Sequence, residues 1–118
     1  MAFTISQYGV ISDNAGKLRA IPQRAKTAAY IPNATDAGYH ISITTGGITI
    51  NQNIFAAGDI LQIYNNSGSN QTITQGTGVT LRLVGTSTTG NRTLAQYGLC
   101  SIFCVASNEF VVMGQGVT

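Results

Sequence analysis

Gly58-Asp59-Ile60-Leu61-Gln62-Ile63-Tyr64-Asn65-Asn66-Ser67-Gly68 opens the stretch that decides the fold, and Ile73-Thr74-Gln75-Gly76-Thr77-Gly78-Val79-Thr80-Leu81 continues it. Gly90-Asn91-Arg92-Thr93-Leu94-Ala95-Gln96-Tyr97-Gly98 and Glu109-Phe110-Val111-Val112-Met113-Gly114 follow. Short runs of β-branched and aromatic residues are cut at near-regular intervals by Gly, Asn and Ser, the pattern of a compact antiparallel β domain. Strands are predicted at 60–64, 71–74, 79–84, 98–105 and 110–113. Residues 65–70 read as a polar hairpin loop and 76–78 as a tight reversal. Residues 106–109 close the last hairpin, with Asn108 expected at positive φ. The polar excursion 85–91, flanked by Gly, reads as an exposed loop.

Upstream, Ile41 and Ile43 alternate with polar residues, as do Ile48 and Ile50 beyond Gly46-Gly47. A two-residue primed turn there would set Thr45 opposite Ile48, Ile43 opposite Ile50 and Ile41 opposite Gln52. All four isoleucines then share one face, so turn chemistry and alternation agree on a hairpin. Residues 1–33 are less regular. Phe3 to Ile11 alternates and is compatible with a strand, Asp13-Asn14-Ala15-Gly16 marks a turn, and Pro22 and Pro32 interrupt any regular element. Residues 17–29 are rich in helix formers but lack an apolar stripe and contain Pro22, which leaves one short helical turn between Pro22 and Tyr30. The expected organisation is an extended N-terminal arm over 1–35 and an antiparallel β domain over 36–118. Seven or eight short strands and no solenoid repeat make it a small all-β sandwich or barrel.

Charged residues are 8% of the chain, against about 25% in an ordinary soluble domain. Its polar surface is therefore built from Thr, Ser, Asn and Gln, which protect a monomer poorly against self-association. Coverage of that surface by other subunits is expected. The formal charge of +2 is too small to argue for nucleic acid, and only Lys17, Arg19, Arg24 and Lys26 cluster. Neither a signal peptide nor a membrane span is predicted, because no apolar run reaches the required length. The sequence predicts synthesis and assembly in a cytoplasm.

Cys100 and Cys104 lie four apart on a predicted strand, roughly 13 Å along one face, too far for a disulfide. Two buried, reduced thiols are expected. His40, the single histidine, sits beside Tyr39 at a strand start and reads as a structural residue. Asp13, Asp36, Asp59 and Glu109 are dispersed, no nucleophile elbow or phosphate loop occurs, and no metal spacing is present. Gly76-Thr77-Gly78 and Gly114-Gln115-Gly116 stand in β context and read as turns. The chain is expected to be no enzyme and to hold no cofactor or metal.

Residues 58–117 resemble a β domain of tailed-bacteriophage virion proteins. The likeness rests on the Ile63-Tyr64-Asn65-Asn66-Ser67 strand end, on Ile73 to Leu81, on Arg92-Thr93-Leu94-Ala95-Gln96-Tyr97-Gly98, and on Phe110-Val111-Val112-Met113-Gly114-Gln115-Gly116. That domain type occurs in head-decoration (cement) proteins and also in tail-fibre and tailspike proteins. The resemblance implies a homotrimer on the outer capsid surface, bound across neighbouring major capsid proteins and stabilising the head by mass action. A short chain without a long shaft fits a decoration better than a fibre. The basic arm supplies the expected capsid contacts, with Phe3 and Tyr8 burying apolar area and Lys17, Arg19, Arg24 and Lys26 meeting carboxylates. No membrane or specific nucleic-acid partner is expected. The alternative is a receptor-binding module that recognises host glycan through loops such as 85–91, with Tyr64 and Tyr97 as candidate sugar platforms.

Overall fold

The computed structural model describes residues 20–118 and, upstream, the backbone of three short strands, β1 (Phe3–Ile5), β2 (Ile11–Asp13) and β3 (Gly16–Lys17), paired antiparallel. The other strands are β4 (Gln23–Lys26), β5 (His40–Ile43), β6 (Ile48–Ile50), β7 (Ile60–Asn65), β8 (Gln71–Gln75), β9 (Thr80–Leu83), β10 (Arg92–Ala106) and β11 (Glu109–Val117). One 3-10 turn, Ala34–Asp36, is the only helical element among the described residues. The protein is all-β, as its turn-punctuated apolar runs predict.

The strand directions differ from expectation. β4, β5 and β7 run parallel, with Gln23, His40 and Gln62 in one register row and Arg24, Ile41 and Ile63 in the next. Tyr30, β6 and β8 form a second parallel set, Tyr30 bridging to Ile48 and Ile48 pairing with Ile73. Each of the three successive segments is therefore a strand, a turn and a strand on the opposite layer, and the three arches stack on one another. Ile41, Ile43, Ile48 and Ile50 are all buried, as the alternation requires. They do not form the expected hairpin, because β5 and β6 face each other across the core instead of sharing hydrogen bonds. The two glycines serve stacking: a Cβ on Gly46 would lie 2.2 Å from the Ala29 nitrogen, and one on Gly47 would lie 2.5 Å from the Thr72 carbonyl oxygen. Neighbouring arches approach too closely for any side chain there.

The helical turn expected between Pro22 and Tyr30 is instead β4, so the sheet begins well before residue 36. β10 then ties the layers together. Its residues 92–94 pair antiparallel with β8 on one layer, and 99–103 with β7 on the other. β11 returns along β10 and takes β9 in parallel at the far edge. The closing hairpin is as predicted, with Asn108 at φ 58°. Gly114 and Gly116 lie within β11 rather than in a turn. Residues 76–78 do reverse the chain, Val79 N–H donating to Gly76 O, but β8 and β9 do not pair.

The core fills the space between the layers, with Ile41, Ile63, Leu61, Cys100, Ile102, Phe110 and Val112 facing Ile48, Ile50, Ile73 and Leu94. Each such aliphatic side chain contributes about 1.5–3 kcal/mol. One polar cluster penetrates it. Asn65, expected in a solvated loop, ends β7 and is fully buried. Its Nδ2 donates to the carbonyls of Ser69, Leu94 and Ala95 at 2.7, 3.1 and 3.0 Å. Its Oδ1 accepts from Ser67 Oγ and Gln71 Nε2. Gln71 in turn donates to Ile43 O and accepts from Gly47 N–H. This network fastens two arch turns to β10 where backbone groups would otherwise lack partners.

Candidate interaction face

Strand alternation gives the large sheet an outer face as well as an inner one. Across β4, β5, β7, β10 and β11, one row is Gln23, His40, Gln62, Ser101 and Met113, and the next is Ala25, Ser42, Tyr64, Leu99 and Gln115. Neither row carries a formal charge. Beyond them, Phe103 and Val105 are also exposed and apolar. The inner positions of β10, at Cys100, Ile102 and Cys104, are buried. β10 is therefore apolar on both faces and covered on one. Leu99-Cys100-Ser101-Ile102-Phe103-Cys104-Val105 shows this in the sequence: a nearly unbroken apolar run marks a strand buried on both faces.

Ile21, His40, Gln62, Tyr64 and Leu99 line a cleft of about 390 Å³ on this face. His40 is fully engaged there. Its Nδ1 lies 3.0 Å from Ile21 O, which can only accept, so Nδ1 carries the proton and Nε2 accepts from Gln23 Nε2 at 3.1 Å. Both ring nitrogens are thus taken up by partners within the fold, the structural role its sequence position suggests. Gln62 Oε1 takes the Ser101 hydroxyl. Near the face, Tyr97 holds a left-handed backbone at φ 53° and is 60% exposed. Loop 85–91 is largely exposed, as expected.

Of the residues assigned to capsid contact, only Arg24 and Lys26 have described side chains. The side chains of Phe3, Tyr8, Lys17 and Arg19 fall outside the described residues. Arg24 and Lys26 occupy inward positions of the first arch, in register with Ile41 and Ile43. Arg24 ion-pairs with Asp36 at 2.6 Å, donates to Thr35, and lies 3.9 Å from the Tyr39 ring centroid. Lys26 sits over the Tyr30 ring at 4.1 Å. Burial works to raise the Asp36 carboxyl, but the Tyr30 hydroxyl, Asn33 N–H and Arg24 guanidinium outweigh it and hold it below its usual range. Both basic side chains therefore have partners within the first arch and its 3-10 turn.

Both cysteines are free and buried. Burial pushes the Cys100 thiol up to about 12, and burial with Asp59 raises Cys104. Arg82 and Glu109 pair at 2.9 Å on the far edge, more than a third exposed on each side, a contact worth at most about 1 kcal/mol. Among the described residues no three His, Cys, Asp or Glu side chains gather as metal ligands, and no helix is long and apolar enough to cross a membrane. No family model, curated protein or solved structure matches this chain.

Proposed function

We propose that the protein is a structural, self-associating β module of the phage-virion type, a homotrimer that decorates a capsid by binding across neighbouring major capsid proteins. The observation that carries the self-association is β10, apolar on both faces with Leu99, Phe103 and Val105 left open. Burying such a surface stabilises an oligomer at about 25 cal/mol per Å² of apolar area, and the absence of charge removes the repulsion that like surfaces ordinarily suffer. The virion assignment comes from the sequence motifs described above, and charge poverty supports a surface built to be covered. Capsid attachment is assigned to the chain upstream of β4, with Phe3, Tyr8, Lys17 and Arg19 as the contacts. Arg24 and Lys26 already have partners in the first arch.

Two measurements test this. Equilibrium sedimentation should give a trimer at micromolar concentration; a stable monomer would remove the self-association. Undecorated phage heads should capture the full chain and fail to capture a variant lacking residues 1–19. That truncation spares β4 and Tyr30, which belong to the stacked arches. Equal capture of both forms would refute attachment through the N-terminal segment.

A further inference from the structure

Arg92 opens β10 in register with Ile73 and is only 7% exposed. Its Nε donates to the carbonyls of Asn91 and Gly90 at 2.9 and 3.3 Å, and neither Nη makes a hydrogen bond among the described residues. A guanidinium is all donor and no acceptor, and a buried charge is ordinarily paired. The other described cations have partners: Arg24 has Asp36, Lys26 the Tyr30 ring, and Arg82 Glu109. The described carboxylates are likewise committed, Asp36 and Glu109 to those arginines and Asp59 to Ala56 N–H at 3.0 Å. No fully enclosed side-chain nitrogen or oxygen among the described residues lacks a partner, so the Nη atoms are not sealed inside but reach solvent. Two amides beside Arg92 are also left as donors. Gln75 Oε1 accepts from Leu81 and Gly90 N–H, and Asn91 Oδ1 accepts from Gln75 N–H. Their NH2 groups have no partner among the described residues.

We propose that Arg92 is the centre of an anion site that takes one carboxylate, bound end-on by its two Nη groups. The reading is independent of self-association and of attachment through the upstream chain. With Nε held by the two carbonyls, the guanidinium plane is fixed before any ligand arrives, so little ordering remains to be done on binding. The open edge of the fork matches the two oxygens of a carboxylate as parallel, charge-assisted hydrogen bonds. Charge selects the same group. Arg92 is a single cation with no second one described beside it, so a monoanion is neutralised, whereas a dianionic phosphate would keep one charge uncompensated near a low-dielectric core. The carboxylate supplies the counter-charge that the chain itself does not place there.

Acetate, the bare group, is the first probe, titrated into the full chain with chloride exchanged for it at constant ionic strength. In nitrogen-15 spectra of the arginine side chains, the Arg92 signals should move and saturate with acetate. This reading needs no variant, so it stands even where substitutions at a buried position unfold the chain. Arg92→Met keeps the apolar stem, and with its fold checked by circular dichroism it should lose at least about 10-fold in acetate affinity by calorimetry. Arg92→Lys keeps the charge without the fork and should also bind more weakly. Glucuronate and N-acetylglutamate amide then distinguish a sugar acid from a protein side chain as the source, and tighter binding of either than of acetate supports the site. Arg92 signals unmoved by acetate, or an affinity unchanged in a folded Arg92→Met, would overturn the inference.

Discussion

Replacing Asn65 by Ala should be among the most damaging single changes outside the aliphatic core. The substitution removes the donor that serves the carbonyls of Ser69, Leu94 and Ala95, and the acceptor used by Ser67 and Gln71. Some partners survive: Ser67 Oγ can turn its one proton from Asn65 to Ser69 O, and Gln71 Nε2 still donates to Ile43 O. The carbonyls of Leu94 and Ala95 both lose the side-chain donor. At roughly 1–3 kcal/mol for each buried polar group left unsatisfied, the total is about 3–4 kcal/mol, a large part of the 5–15 kcal/mol typical of a domain. At about 4–8 °C per kcal/mol for a domain near this size, the melting temperature should fall by roughly 15 °C. Urea unfolding followed by circular dichroism, at one fixed protein concentration, measures the loss as a lower midpoint with unchanged slope. Asn66→Ala is the control, since Asn66 is exposed and its bond to Ile43 uses only the backbone N–H; it should cost less than about 0.5 kcal/mol. An Asn65→Ala loss below about 1 kcal/mol would show that water or a shifted turn replaces the network, and would refute its structural role.

Asp36, held below an ordinary value of 3.8, contributes stability that is complete above that pH and is lost as pH falls through its lower folded value. Asp36→Asn should accordingly be destabilised at pH 7 and show a flatter acid-unfolding profile below pH 3.8, seen by circular dichroism; an unchanged profile would mean that other carboxylates dominate. Cys100 and Cys104 should resist thiol reagents at pH 8 until the chain unfolds, because burial keeps both protonated; rapid labelling by mass spectrometry would place β10 elsewhere. Gly47→Ala should lower stability by several kcal/mol, since it combines positive φ with a clash on Thr72; near-neutral denaturation would mean that the arches are not stacked so closely.

The sequence made the faces legible and concealed the neighbours. Period-two alternation tells which side of a strand is buried, so Ile41, Ile43, Ile48 and Ile50 could be placed inside without knowing what β5 and β6 pair with. It is silent on partner choice, and Gly46-Gly47 satisfies a tight hairpin and a crowded arch turn equally well. The parallel rows join residues far apart in the chain, such as Gln23, His40 and Gln62, with unequal spacings that hide any repeat. Asn65 is concealed for a related reason: Asn-Asn-Ser-Gly looks like solvated turn chemistry, and only tertiary contacts show that its first residue reaches inward. The interaction face did leave a trace, in the apolar character of both sides of residues 99–105. Tyr97 left none, since nothing local distinguishes a strained tyrosine from an ordinary strand residue.

Parallel stacking of like segments is also the geometry by which cross-β fibrils grow without limit, each new chain laying its strands on the last exposed pair. Here the first described arch sets Arg24 and Lys26 in the rows of Ile41 and Ile43, where a further stacked arch would need aliphatic contacts. An incoming strand laid on β4 in the same register would have to cover two cations with its own inward side chains, a heavy desolvation cost. The basic pair and its acidic and aromatic partners thus act as a terminator. They let the molecule use a fibril-like stacking of arches while making β4 a costly strand for another chain to add to.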